Sequence, residues 1–269
     1  MSTIVKNVDA LIAQLRPITL EEMSAVKLMN RTDTKFVTTV EKLCQLLEMV
    51  QERYRVQDID GRRNMAYYTV YFDTPDLNMF LTHHNGVASR QKLRIRSYVE
   101  SHLNFLEVKT KDNHKRTKKK RVEAVGFDPE NPDLDMHFDA HNEVYADYDK
   151  FLRKHLRYDP ASMVQTLENR FRRITLVNEA HTERVTIDTG LRFHNLLTDR
   201  RCSLDGLAII ELKRDGLMPS DVLEMLLQLR IRPQGFSKYC MGTALTNPDV
   251  KQNRFKQRLR LIDKMMHTA

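Results

Sequence analysis

Three cysteines serve 269 residues, and Cys44, Cys202 and Cys240 stand far apart with no CxxC or Cys/His cluster. An odd, scattered set argues against a disulfide framework or a structural zinc site and fits a reducing cytoplasm. Tryptophan is absent and aromatic residues make up 7% of the chain. With no RNP, helix-turn-helix or zinc-finger signature, no nucleic-acid partner is expected. Glycine occurs eight times and GxxxxGK[ST] not at all, so a P-loop cradle of backbone amides is excluded. No apolar run approaches the roughly 18 residues of a membrane span. The opening MSTIVKNVDALIAQLRPIT has no signal-peptide core. The expectation is a soluble, cytoplasmic protein, with room for a membrane-protein partner.

What the chain does have is patterned charge. Lys and Arg number 44 against 36 Asp and Glu, a formal net charge of +8. Such a surplus attracts polyanions and phosphate-rich small molecules. Arg90, Lys92, Arg94, Arg96 and Tyr98 alternate with Gln91, Leu93, Ile95 and Ser97. Period-two alternation is the signature of a strand, because successive side chains leave opposite faces. The same rhythm places Glu107, Lys109 and Lys111 between Leu106, Val108 and Thr110. It places Arg184, Thr186 and Asp188 about Val185 and Ile187, and Glu211 and Lys213 about Ile210 and Leu212.

Further strands are expected over 31–38, 67–73, about 119–125 and 166–177. Helices are expected over 4–15, 19–30, 40–53, 142–156, 219–230 and 249–267. At least eight strands joined mostly by short turns, with helices at the ends and in one insertion, read as α+β with a largely antiparallel sheet. The division expected is a helical segment 1–27, a sheet domain 28–245 with a helical insertion at about 126–165, and a basic terminal helix 246–269. Any one charged strand face can simply meet water. Several faces carrying cations at consecutive in-phase positions, with an acid among them, instead suggest a closed barrel whose wet lumen holds an anion.

The ordered set Arg31-Thr-Asp-Thr-Lys35, Tyr71-Phe-Asp-Thr-Pro75, Lys92-Leu-Arg-Ile-Arg96, Phe105-Leu-Glu-Val-Lys109, Glu168-Asn-Arg170, Arg184-Val-Thr-Ile-Asp188, Ile210-Glu-Leu-Lys213 and Gly235-Phe-Ser-Lys-Tyr239 resembles the VTC (vacuolar transporter chaperone) catalytic domain, one of the triphosphate tunnel metalloenzymes. The resemblance implies an eight-stranded antiparallel tunnel that binds ATP and grows polyphosphate from γ-phosphates with Mn²⁺ or Mg²⁺. Carried over by motif, Lys35, Arg94, Arg96, Lys109, Arg170, Arg184 and Lys238 would hold phosphate. Arg31, Lys92, Lys118, Lys120 and Lys213 are weaker candidates, and Glu211 with Glu107 would hold metal. Two departures stand out: a Glu-x-Glu-x-Lys opening is replaced by Arg31-Thr-Asp-Thr-Lys35, and a second lysine is replaced by Gly235.

The chemistry points the same way. Phosphoryl transfer needs charge neutralisation and in-line positioning more than a covalent nucleophile. Arginine forks suit phosphate oxygens, lysines add point charge, and Mg²⁺ or Mn²⁺ takes carboxylate oxygen. Glu107 and Glu211 are alternatively salt-bridge partners of Lys109 and Lys213. Asp73 reads as a turn cap, and His83 and His84 as an exposed turn before Asn85-Gly86. A tunnel-type triphosphatase and a non-catalytic polyphosphate-binding module are the alternatives to the polymerase.

Overall fold

The computed structural model describes residues 3–24, 31–114, 116–132, 138, 145–216 and 218–268. Among them are eleven strands and eight α-helices. Eight strands form one antiparallel path: β2 (Arg31–Thr39), β11 (Leu207–Asp215), β9 (Glu183–Asn195), β8 (Val164–Asn178), β4 (Met65–Asp73), β5 (Arg90–Tyr98), β6 (Leu103–Lys111) and β7 (Thr117–Glu123). Short strands extend it. β1 (Arg16–Ile18) runs parallel to β3 (Tyr54–Gln57), β3 pairs with β8, and β10 (Arg201–Leu204) pairs with β9. The path ends at β2 and β7, which do not pair with each other among the described residues. The closed barrel expected from the charge pattern is thus an open sheet.

Alternation decides what each face buries. On the outer face of β2, β8, β9 and β11, Phe36, Ile174, Leu176, Val185, Ile187, Ile210 and Leu212 pack against three helices. These are α1 (Thr3–Gln14), α3 (Val40–Met49) and α6 (Asp221–Gln228). Over β4–β6 the outer face is covered by Tyr148 and Leu152 of α5 (Ala146–His155), with Phe127 and Phe138. The short helix α2 (Leu20–Ser24) opens on a capping box. The Thr19 amide donates to Glu22 Oε2 at 2.8 Å and the Glu22 amide to Thr19 Oγ1 at 3.2 Å. The rest of the helix expected over 19–30, and residues 142–144 of that expected over 142–156, lie outside the described residues. The terminal helix is α8 (Lys256–Thr268).

Two helices not expected from sequence meet on the concave side. Asp73, fully buried at the end of β4, accepts amides from Thr74 (2.8 Å), Met79 (2.8 Å) and Phe80 (2.9 Å), capping α4 (Asn78–His84). Its Oδ2 also accepts the Tyr239 hydroxyl at 2.5 Å, tying in α7 (Lys238–Thr246). His83 and His84 therefore belong to a helix, with His84 3% exposed, and are not an exposed turn. In β9 a bulge falls opposite Phe171, between the pairs Arg172↔Thr189 and Arg170↔Arg192. Gly190 supplies its left-handed residue, with φ +59. Asp188 before the bulge faces inward, and so does Phe193 after it, so Arg192 is turned out.

Candidate functional site

Three neighbouring strands stack their in-phase cations in rows. Lys92, Lys109 and Lys119 lie directly opposite one another across β5, β6 and β7, and Arg94, Glu107 and Arg121 form the next row. Like charges facing each other on adjacent strands are unfavourable. In the second row Glu107 relieves this: Arg94 donates to its Oε2 at 2.7 Å and Lys119 meets Oε1 at 3.0 Å. In the first row that contact with Glu107 relieves Lys119 alone. Among the described residues no carboxylate lies in ion-pair distance of Lys92 or Lys109; Lys92 instead donates to Ser237 Oγ at 2.8 Å.

The opposite wall is built from β2, β11, β9 and β8. Glu211 faces Lys35 in register and pairs with it; Lys213 Nζ sits 2.7 Å from its other oxygen and reaches Thr186 Oγ1 at 3.3 Å. Arg184 lies opposite Lys213. Deeper in, Arg173 grips Asp188 with two hydrogen bonds of 2.6 and 2.8 Å, and Lys238 pairs with the same carboxylate. Lys238 and Arg173 both lie over the Phe171 ring, and Arg96 over Tyr67 and Phe171, an aromatic floor for stacked cations.

This packing of charge sets protonation. Burial opposes ionisation of Glu211, but Lys213 and Lys35 outweigh it and hold the carboxyl well below the usual range. Burial likewise opposes ionisation of Glu107, yet Arg94, Arg96 and Lys119 bring it down to about 2. The Lys109 ammonium is lowered to about 8, first by the protein walls around it and then by Arg94 and Lys92, although cleft water still reaches it. Desolvation, with Lys92 and Arg90 next, keeps His83 neutral, at about 2.

Between the walls runs a cleft of about 580 Å³ lined by Asp33, Lys35, Arg90, Lys92, Lys109, Lys111 and Glu211, with His83 and Arg258 at its side. Its volume is that of a small-molecule site, and its cations suit a chain of phosphate groups. Among the described residues no three His, Cys, Asp or Glu side chains gather as a metal cage. Mg²⁺ and Mn²⁺ bound with phosphates take one or two carboxylates and leave the other positions to phosphate and water. Asp33 and Glu211, lining one cleft, fit that donor set. Glu107 lies outside that lining and is 1% exposed, so it is the poorer donor of the two carboxylates singled out in sequence.

The family profile of the VTC domain matches residues 30–247. The chain belongs to the VTC domain family. No curated protein matches this VTC domain. Among solved structures it is similar to a candidate adenylate cyclase from Bacillus halodurans, at 14% identity and a TM-score of 0.46 over 78% of this chain and 96% of that one. It is also similar to a candidate adenylyl cyclase from Hippeastrum, described as having a dominant triphosphatase activity. There the identity is 16% and the TM-score 0.45, over 81% of this chain and 97% of the other.

Of the residues singled out in sequence, this VTC domain brings Lys35, Lys92, Arg94, Arg96, Lys109, Arg184, Lys213, Lys238 and Glu211 to the concave face. Three candidates lie elsewhere. Lys118 and Lys120 are opposite Thr110 and Val108, on the outward row, and Lys119 holds the inward position. The strand runs one residue out of the expected phase, and a one-residue slip exchanges faces. Arg170 is opposite Tyr68, also outward, and stacks on its ring at 4.2 Å; Arg173, in phase with Phe171, is the inward arginine of β8. The side chain of Arg31 lies outside the described residues. Arg258 reaches the cleft from α8, 23 residues past Gly235, with no local pattern to announce it; its guanidinium lies 3.8 Å from where a Cβ on Gly235 would stand.

Proposed function

We propose that this VTC domain is a metal-dependent polyphosphate polymerase that transfers the ATP γ-phosphoryl group to a growing polyphosphate chain in its basic cleft. The observation that carries the reading is the directly opposed pair Lys92 and Lys109, neither with a carboxylate in ion-pair distance among the described residues, which shares one cleft with Lys35, Arg90 and Lys111. Cations held this close need an anion of several charges, and a triphosphate or polyphosphate supplies them. Catalysis then follows from position and charge: lysines and arginines fix the phosphate chain in line and neutralise charge on the transferring group. Glu211 and Asp33 would hold a Mg²⁺ or Mn²⁺ ion, whose chemistry is to neutralise phosphate oxygens of the nucleotide. Arg258 beside Gly235 supports a cation on the side where the polymerase pattern carries a second lysine.

The test is to incubate the protein with ATP and Mn²⁺ and follow polymer on a gel together with released phosphate. A ladder of polyphosphate that disappears in Glu211→Gln is the expected result. Phosphate release without polymer would assign a triphosphatase instead, and nucleotide binding without turnover a binding module.

A further inference from the structure

The outer face of the sheet carries a second concentration of arginines, separated from the cleft by the sheet itself. Arg170 on β8 and Arg192 on β9 lie directly opposite each other, both exposed, and Ser203 of β10 continues that row beyond Arg192. In the next row Arg201 faces His194. The bulge at Gly190 creates this arrangement, because without the extra residue Arg192 would share the inward phase of Asp188. The residues surround a cavity of about 470 Å³ with Phe193 and Cys202 in its wall.

Two arginines in direct register repel one another unless something neutralises them, and the neighbouring acids are committed elsewhere. Glu168 accepts the Tyr68 hydroxyl and meets His194 Nδ1 at 2.8 Å. Asp199 meets His194 Nε2 at 2.7 Å. Asp205 approaches Arg192 only at 3.6 Å, both side chains being more than half exposed. Among the described residues, neither Arg170 nor Arg201 has a carboxylate within ion-pair distance. Arg170 is steadied by the Pro129 carbonyl at 2.9 Å and the Tyr68 ring, which leave the rest of its fork available.

We infer that this outer cavity is a second anion site, taking a phosphate-type oxyanion on the guanidinium groups of Arg170, Arg192 and Arg201 with the Ser203 hydroxyl as a further donor. Three planar forks and a hydroxyl converging on one cavity match tetrahedral oxygens, which accept several charge-assisted hydrogen bonds at once. The site is independent of the tunnel reading, since none of its residues lines the cleft.

Isothermal titration of the native full-length protein with inorganic phosphate, and separately with glycerol 3-phosphate, reads the site directly. Affinity is expected to fall about tenfold in Arg192→Gln/Arg201→Gln, which removes two charge-assisted donors, and uptake is expected to persist in Lys92→Gln, which weakens the cleft alone. The arm with the tighter dissociation constant tells free phosphate from a phosphate ester. Arg201→Gln, at an exposed position of a short strand, replaces the double variant if that fails to fold. An isotherm unchanged by the arginine changes, or one abolished by Lys92→Gln, would overturn the assignment.

Discussion

One lysine among three consecutive ones decides how the basic hairpin acts. Lys119 lies on the concave face opposite Lys109 and touches Glu107; Lys118 and Lys120 are on the outward row. Lys119→Ala is expected to weaken tripolyphosphate binding by about 1 kcal/mol, roughly fivefold, the modest size reflecting a water-exposed ammonium. Lys118→Ala and Lys120→Ala should stay within about twofold of wild type; isothermal titration of the three variants checks this, and equal losses would place β7 in the other phase. Lys109 adds a pH dependence. Its ammonium, lowered to about 8, is charged below that pH and attracts phosphate, and above it the attraction fades. The affinity advantage of wild type over Lys109→Met should therefore be largest near neutrality and shrink as pH rises past about 8, titration of the ligand cancelling in the comparison. An advantage constant from pH 7 to 9.5 would count against that protonation state.

At the scale of elements, α4 and α7 are locked to the end of β4 through one carboxylate. Asp73→Ala removes the acceptor of three amides and the Tyr239 hydroxyl at a fully buried position. The expected cost is about 3 kcal/mol, with turnover falling alongside because α7 carries Lys238. Gly242→Ala tests the same joint from its other side. A Cβ there would stand 2.7 Å from Leu167 Cδ2 and 2.8 Å from Phe193 Cε1, an overpacking worth about 2 kcal/mol. Chemical denaturation of both variants measures these losses, and a Gly242→Ala protein as stable as wild type would show that the joint yields freely.

These elements also mark what could be read in advance. The capping box at Thr19 and Glu22 and the alternation in β5, β6, β9 and β11 are local, so the sequence displays them. Helix α4 is seven residues long and follows Leu77 with φ +56, its amides being capped by an aspartate on the preceding strand. Helix α7 is buried along most of its surface, so it has no amphipathic rhythm. The parity of Arg170 against Arg173 and of Lys119 against its neighbours depends on strand register, which partners and bulges set across the sheet. Closure of the sheet is a global property, and alternation within single strands carries no information about it.

For the molecule as a whole, the concave charges are an unmet demand that an anion should satisfy. Adding tripolyphosphate at about a hundredfold its dissociation constant should stabilise the fold by about 2.7 kcal/mol. The gain should fall as salt screens the exposed part of the cleft. A thermal-shift series at rising ionic strength measures both, and a melting temperature indifferent to the anion at low salt would contradict a cleft built for polyphosphate.

Among the described residues the edges of β2 and β7 do not pair with each other, which gives this molecule a mechanical freedom that a ring of strands lacks. A fully hydrogen-bonded barrel has a bore fixed by strand number and stagger, and widening it means tearing a ladder. Here the seam is bordered by the segment from Pro233 to Ser237 and by α8, and the Gln234 amide donates to the Lys35 carbonyl at 2.7 Å, so parting the edges strains that local bridge and side-chain contacts and spares the ladders between the eight strands. The calibre of the trough is a soft coordinate, adjustable to what lies in it, while the rows of charge on each strand keep their spacing.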